Sequence, residues 1–111
     1  MMEQNNNQRQ NEESKELELI SLVKQGDIKA EEELEKLEAK YVTKVAEQYK
    51  NQGLSMEVLI EEGNEGLIRA ARKFDTSKGV TFMAYAVWWV RQYILKGIAR
   101  ETNIQRQNSH E

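Results

Sequence analysis

The sequence contains no cysteine and no proline among its 111 residues, and its one histidine, His110, stands next to the end. The first absence excludes disulfides, thiolate metal sites and cysteine nucleophiles. The second leaves helices free of their commonest breaker. With one histidine in a polar tail there is no helical histidine pair for a metal, and no glycine-rich phosphate loop follows a strand. Neither an enzyme nor a cofactor or metal site is therefore expected. The run Glu31-Glu32-Glu33 is the densest acidic cluster, but neighbours on a helix point in different directions, so it reads as solvated charge. No stretch approaches the roughly 20 apolar residues of a membrane span, and Met1 to Gln10 is polar where a signal peptide is apolar. A cytoplasmic location is expected, with no membrane partner and no small-molecule substrate.

What is present is 39% hydrophobic and 32% charged residues, which suits one small helical domain with a modest core. The formal net charge of −3 and pI near 5.3, taken whole, argue against a nucleic-acid partner. Dividing the chain at Gly66 changes that. Residues 1 to 66 hold 16 acids and 8 bases, a net −8, whereas residues 67 to 111 hold 3 acids and 8 bases, a net +5. Six of the eight aromatics, Phe74, Phe82, Tyr85, Trp88, Trp89 and Tyr93, lie in the basic part. Basic charge interleaved with rings is what a single-strand nucleic-acid surface needs. The alternative is that the rings mark the core and the charge split is accidental.

Apolar residues recur at three- and four-residue intervals, which predicts an all-α fold, a compact three- to four-helix bundle. Residues 1–13, rich in Asn, Gln and Glu, read as a disordered polar lead-in, 14–104 as the helical domain and 105–111 as a polar tail. A first helix is expected from about Ser14 to Gln25, with Leu19, Ile20 and Val23 inward and Gly26 ending it. Asp27 caps a second, long helix that buries Leu34, Leu37, Tyr41, Val45 and Tyr49 and ends before Gly53. Ser55 caps a third, whose Gly63 and Gly66 each cost roughly 1 kcal/mol against alanine, a sign of another backbone close by. Asp75 to Gly79 reads as a turn, after which Thr81 caps a fourth helix running to about Glu101.

On a wheel, Met83, Ala86, Val87, Val90, Ile94, Gly97 and Ile98 cover one arc of this last helix, wide enough to be its core face. Phe82, Tyr85, Trp88, Trp89, Gln92, Lys96 and Arg100 fall on the other arc. A solvated face does not normally carry so many rings, since contiguous exposed apolar patches mark binding sites. Rings stack on unpaired bases, lysine and arginine neutralise phosphates, and a glutamine amide can pair with adenine N6 and N7 in a major groove. The alternative packs Phe82, Tyr85 and Trp89 on the second helix and leaves Gln92 and Lys96 as ordinary surface.

The run from Gly53 to Arg100 resembles region 2 of the bacterial RNA polymerase sigma factors, the housekeeping type above all. Two motifs carry the resemblance, LIEEGNEGLIRAARKFD from Leu59 to Asp75 and YAVWWVRQ from Tyr85 to Gln92. The preceding segment, Asp27 to Tyr49, is similar as well, so the likeness covers roughly Asp27 to Ile104. It implies a non-enzymatic domain that binds the clamp helices of the β′ subunit in the RNA polymerase core and recognises and melts the minus-ten element of promoter DNA through its non-template strand.

Carried onto this chain, the resemblance implies polymerase contacts at Val58, Glu61, Glu62, Asn64 and Ile68, with Val58 standing where the family usually has an acid. It implies that Phe82, Tyr85 and Trp89, with Phe74, Asp75 and Lys78 nearby, receive the flipped adenine, and that Trp88 and Trp89 wedge the upstream fork. Gln92 matches the position that reads the upstream base pair, and Arg91, Lys96 and Arg100 are candidates for backbone contacts. Leu95, Val80 and the stretch TNIQRQ depart from the family pattern. Nothing in the 111 residues resembles the domain that reads the minus-thirty-five element. The alternative reading is a polymerase-binding module that competes with intact sigma factors without recognising promoters.

Overall fold

The computed structural model describes residues 2–109, with side chains from Gln10 to Gln107. Five α-helices follow in order: α1 Met2–Lys24, α2 Ile28–Leu37, α3 Ala39–Glu47, α4 Met56–Lys73 and α5 Phe82–Ser109, with a single 3-10 turn at Thr76–Lys78 before the last. There is no strand among the described residues. The all-α bundle expected from periodicity is what forms, with one helix more than the upper count.

Each expected cap is made. Asp27 accepts a hydrogen bond from the Ala30 amide at 3.1 Å, Ser55 from Val58 at 3.2 Å and Thr81 from Ala84 at 3.3 Å. These side chains satisfy first-turn amides that have no intrahelical partner. Gly26, at φ +90, ends α1 in the left-handed region that L side chains rarely adopt. At their outer ends α1 and α5 differ from the expected bounds. α1 is continuous with residues 2–13, and α5 runs through 105–109; neither stretch holds a proline or glycine to stop a helix already started.

The long second helix is in fact two. It breaks at Glu38, whose φ of −101 and ψ of 12 leave the helical region. The break turns the inward face by about one residue: Leu34 is buried before it, and Val42, Val45 and Ala46 after it. Tyr41, expected in the core, is 58% exposed, and Leu37 and Tyr49 are only half-buried. A 3.6-residue period carried through a kink assigns the wrong residues beyond it. The Glu38 carboxyl is itself buried, and burial together with Glu16 of α1 pushes its pKa up to about 8, so it is protonated at neutral pH.

The core gathers Leu19, Ile20 and Val23 of α1, Leu34 of α2, Val42 of α3, Leu59 and Leu67 of α4, and Ala86, Val90 and Ile94 of α5. Its tightest seam joins α4 to α5. A Cβ built on Gly66 would stand 2.6 Å from the Trp89 carbonyl oxygen and 2.9 Å from the Val90 Cα. The close backbone that the mid-helix glycine foretold is therefore that of α5, and only hydrogen fits between them. Gly63 faces side chains instead, with Val42 Cγ1 at 2.8 Å from its would-be Cβ.

Candidate nucleic-acid interface

From Thr76 to Arg100 the chain has no carboxylate, and Lys78, Arg91, Lys96 and Arg100 supply its charge. On this background the rings form a connected row. Phe82 and Phe74 meet edge to face at 5.3 Å between centroids, Phe74 and Tyr85 at 5.5 Å, Tyr85 and Trp89 at 6.2 Å, and Trp89 and Trp88 edge to face at 5.5 Å. These are the separations at which aromatic pairs attract. The row climbs out of the core: Phe82 is 2% and Phe74 3% exposed, Tyr85 and Trp89 are half-buried, and Trp88 is 59% exposed.

That gradient divides the expected stacking set. Phe74 and Phe82 are core residues, without a free face for a base; they hold Tyr85 in place. The wheel put Phe82 on the outer arc because it counts angles, whereas the start of α5 lies over the end of α4 and is covered by it. Phe82 packs on Phe74 at the end of α4. Trp88, Trp89 and Tyr85 remain as ring edges and faces within reach of a ligand.

The turn beneath them is built by Asp75. Its Oδ1 accepts hydrogen bonds from the Ser77 hydroxyl at 2.7 Å and the Ser77 amide at 2.9 Å, and these bonds hold its carboxyl below the usual range. Asp75 is thus committed to the turn, while Lys78 is left exposed beside Gly79, which takes a φ of +75. Lys24 of α1 donates to the Phe74 carbonyl, tying the end of α4 to α1. Lys24 and Lys73, with Leu17, Ile20, Phe74 and Asp75, line a groove of about 500 Å³. Sequence reading did not join Lys24 to this region, because 50 residues separate it from Phe74 and only packing brings them together.

The cations of α5 are not equivalent. Arg91 donates to Gln48 Oε1 at 2.8 Å and contacts the Tyr49 hydroxyl at 3.5 Å, so it anchors α5 to the end of α3. Arg100 stands 3.5 Å from Glu62. Lys96 lies 5.2 Å from the centre of the Tyr93 ring with its side chain in solvent. Gln92 is half-buried, between Trp88 and Lys96 in sequence.

The five residues that the resemblance assigns to polymerase contacts do not share one surface. Glu61, Asn64 and Ile68 line a cleft of about 360 Å³ together with Glu31 and Glu35 of α2 and Glu65, Arg69 and Arg72 of α4. Arg72 and Glu31 pair across it at 3.0 Å. Burial, then the neighbouring Glu31 and Glu32, raise the pKa of Glu35 there. Asn64 Oδ1 is buried without a hydrogen-bond partner, and Ile68 is itself largely core. Glu62 instead lies against α5: its Cγ would be 3.0 Å from a Cβ on Gly97, and its Oε2 is buried with Arg100 as counter-charge. Val58 is half-buried in the first turn of α4. Among the described residues no group of three or more His, Cys, Asp or Glu is placed to hold a metal, and no helix is long and apolar enough to cross a membrane.

Comparison with known proteins agrees with this picture. Residues 36–104, most of the five-helix bundle, match the family described as Sigma-70 region 2. The chain is similar to the RNA polymerase sigma factor SigA of Microcystis aeruginosa, 44% identical over 82 residues, which are 74% of this chain and 20% of that protein. It is similar to the SigA of Synechocystis sp. at 43% over 84 residues, 76% of this chain and again 20% of the relative. The matched segment therefore spans about one fifth of these curated relatives. With two motifs, a helical bundle and a family match covering more than half its residues, this chain belongs to the sigma-70 region 2 family.

Proposed function

We propose that the chain serves transcription initiation by binding RNA polymerase core through the α2–α4 cleft and engaging the non-template strand of the minus-ten element through α5. It does so without catalysing a reaction. The observation that carries this reading is the row of rings that rises from buried Phe74 to exposed Trp88 beside Gln92, in a chain that has no carboxylate from Thr76 to Arg100. Buried rings at one end make the row rigid, so the outer ring surfaces are already in place when a base arrives. Extruding a base from its stack costs a few kcal/mol, and one aromatic stack of roughly 1 to 3 kcal/mol with hydrogen bonds offsets that without a cofactor. Glu61, Asn64 and the carboxylates lining the cleft support a partner with cationic and hydrogen-bond-donating side chains, which the β′ clamp helices would present.

The acidic total acquires a meaning here. Non-specific duplex binding rests on phosphate neutralisation, so a chain of net −3 binds DNA weakly by itself and relies on polymerase to hold it at the promoter. The test is a titration of polymerase core plus this chain with a fluorescent minus-ten non-template oligonucleotide and a scrambled control. A ternary complex selective for the minus-ten strand supports the reading. Core binding with equal affinity for both strands leaves only the competitor role, and absence of core binding removes both.

A further inference from the structure

Glu38 closes α2 and opens α3, yet its side chain makes no capping bond to α3. Only its backbone joins the two helices, the amide donating to the Leu34 carbonyl at 3.0 Å and the carbonyl accepting from Val42 at 3.1 Å. The carboxyl turns to α1 instead, where Glu12 and Glu16 stand one turn apart on one face and Glu16 is hydrogen-bonded to it. The charges that act on Glu38 are those of Glu16 and Glu12. Glu35 of α2 responds to Glu31 and Glu32, and no cation of any helix is paired with Glu38 among the described residues. A carboxyl 5% exposed, with acids facing it and no counter-charge, is stable there only while it keeps a proton and donates it.

That contact is the one that holds the upstream half of α1. From Gln10 to Glu18 only Glu16 is half-buried and the others, Leu17 included, are exposed; the apolar seat of the helix begins at Leu19 and continues through Ile20 and Val23. At its far end Lys24 donates to the Phe74 carbonyl, so α1 also ties down the buried end of the row of rings. The helix is thus fastened by apolar packing and a cation at one end and, about two turns earlier, by a shared proton. We propose that Glu38 and Glu16 form a proton-held latch: while the proton is shared, residues 10–18 of α1 lie against the α2–α3 break, and when it leaves, that segment swings free. Loss of the proton puts two carboxylates in contact, with Glu12 a turn away, where water reaches poorly; moving the segment that carries two of the three into solvent relieves the repulsion. The device goes beyond the reading of α5 and involves neither polymerase nor DNA.

Burial first, then Glu16 and Glu12, push the Glu38 pKa up to about 8. The ratio of released to latched chain is therefore expected to rise by up to about tenfold per pH unit from about pH 5 and to level off above about 8. The full chain has no cysteine, so Ser14→Cys and Lys44→Cys, both at exposed positions, take a pair of spin labels at defined places. Pulsed electron paramagnetic resonance is expected to give one narrow distance between them at pH 6 and a longer, broad distribution at pH 9. With Glu38→Gln added, which keeps a donor and has no acidic proton to lose, the narrow distance is expected at both; far-ultraviolet circular dichroism checks its fold. Glu16→Gln is the second variant: its amide can donate to an ionised Glu38, so less release than in the labelled parent is expected at pH 9. The same distance at pH 6 and 9 in the labelled parent overturns the latch. So does a broad distribution already present at pH 6, or a pH response undiminished in either glutamine variant.

Discussion

The acidic half of the molecule, α1 to α3, and the basic α5 both pack on α4, yet they handle polar groups in opposite ways. The acidic half buries carboxyls. Glu38 is sealed at the α2–α3 break against Glu16, and Glu35 is crowded by Glu31 and Glu32, so both hold their protons more tightly than a free carboxyl. α5 instead presents hydrogen, methyl groups and ring edges to α4 and keeps its cations tied at the flanks or in water. The difference teaches where each property resides: sensitivity to pH belongs to the first half, and a fixed geometry of rings to the second.

The largest test of that geometry is Gly66→Ala. Its methyl group has to displace the Trp89 carbonyl, a backbone atom 2.6 Å away, and overpacking of this kind costs about 3 kcal/mol, of which better helix propensity returns roughly 1. Gly63→Ala meets the side-chain methyls of Val42 at 2.8 Å and Val90 at 3.3 Å instead of backbone, so it is expected to cost less than Gly66→Ala. Urea midpoints of the two variants measure the contrast; equal values would mean that the α4–α5 seam yields.

Next in size is the contrast between the two tryptophans. Trp89→Ala removes a half-buried ring in contact with Tyr85 and is expected to cost about 2 kcal/mol of stability. Trp88→Ala is expected to change stability by less than about 0.5 kcal/mol while weakening binding to the minus-ten strand by about 1 to 3 kcal/mol. Tyr85 and Trp89 together are a poorer test of stacking, because both support the core. Thermal unfolding and strand binding, measured on the same variants, separate the two roles.

The last test concerns the acidic half. The folded-state pKa of Glu38 is raised, so its contribution to stability is fully present below the ordinary carboxyl value of 4.5 and is lost as pH rises through about 8. Stability is expected to fall progressively between pH 5 and 9. Glu38→Gln, uncharged at every pH, flattens that slope. Denaturant midpoints taken across the range check it, and a slope that persists in the variant points to Glu12, Glu16 or Glu35 instead.

Much of this was legible in the order of residues. Helix caps are local, so Asp27, Ser55 and Thr81 announced their amide partners three residues on. Two glycines inside an otherwise good helix announced a close neighbour, and YAVWWVRQ with LIEEGNEGLIRAARKFD announced the family. Tyr41 was misplaced because the break at Glu38 follows from how α1, α2 and α3 meet, and no proline or glycine marks it. Phe82 was misplaced because a wheel has no knowledge of which part of a helix another helix covers.

By itself, then, the sequence determined the helical class, the caps, the split of charge at Gly66 and the row of rings with Gln92 in its midst. Those depend on interactions within a few residues or on composition, which need no partner to be read. Only the tertiary structure decided which rings are core and which face water, that Glu62 belongs with Arg100 and not with Glu61, that Arg91 anchors α3, and that Leu95 stands free. Each of those depends on which surfaces meet across tens of residues, and that is settled by packing.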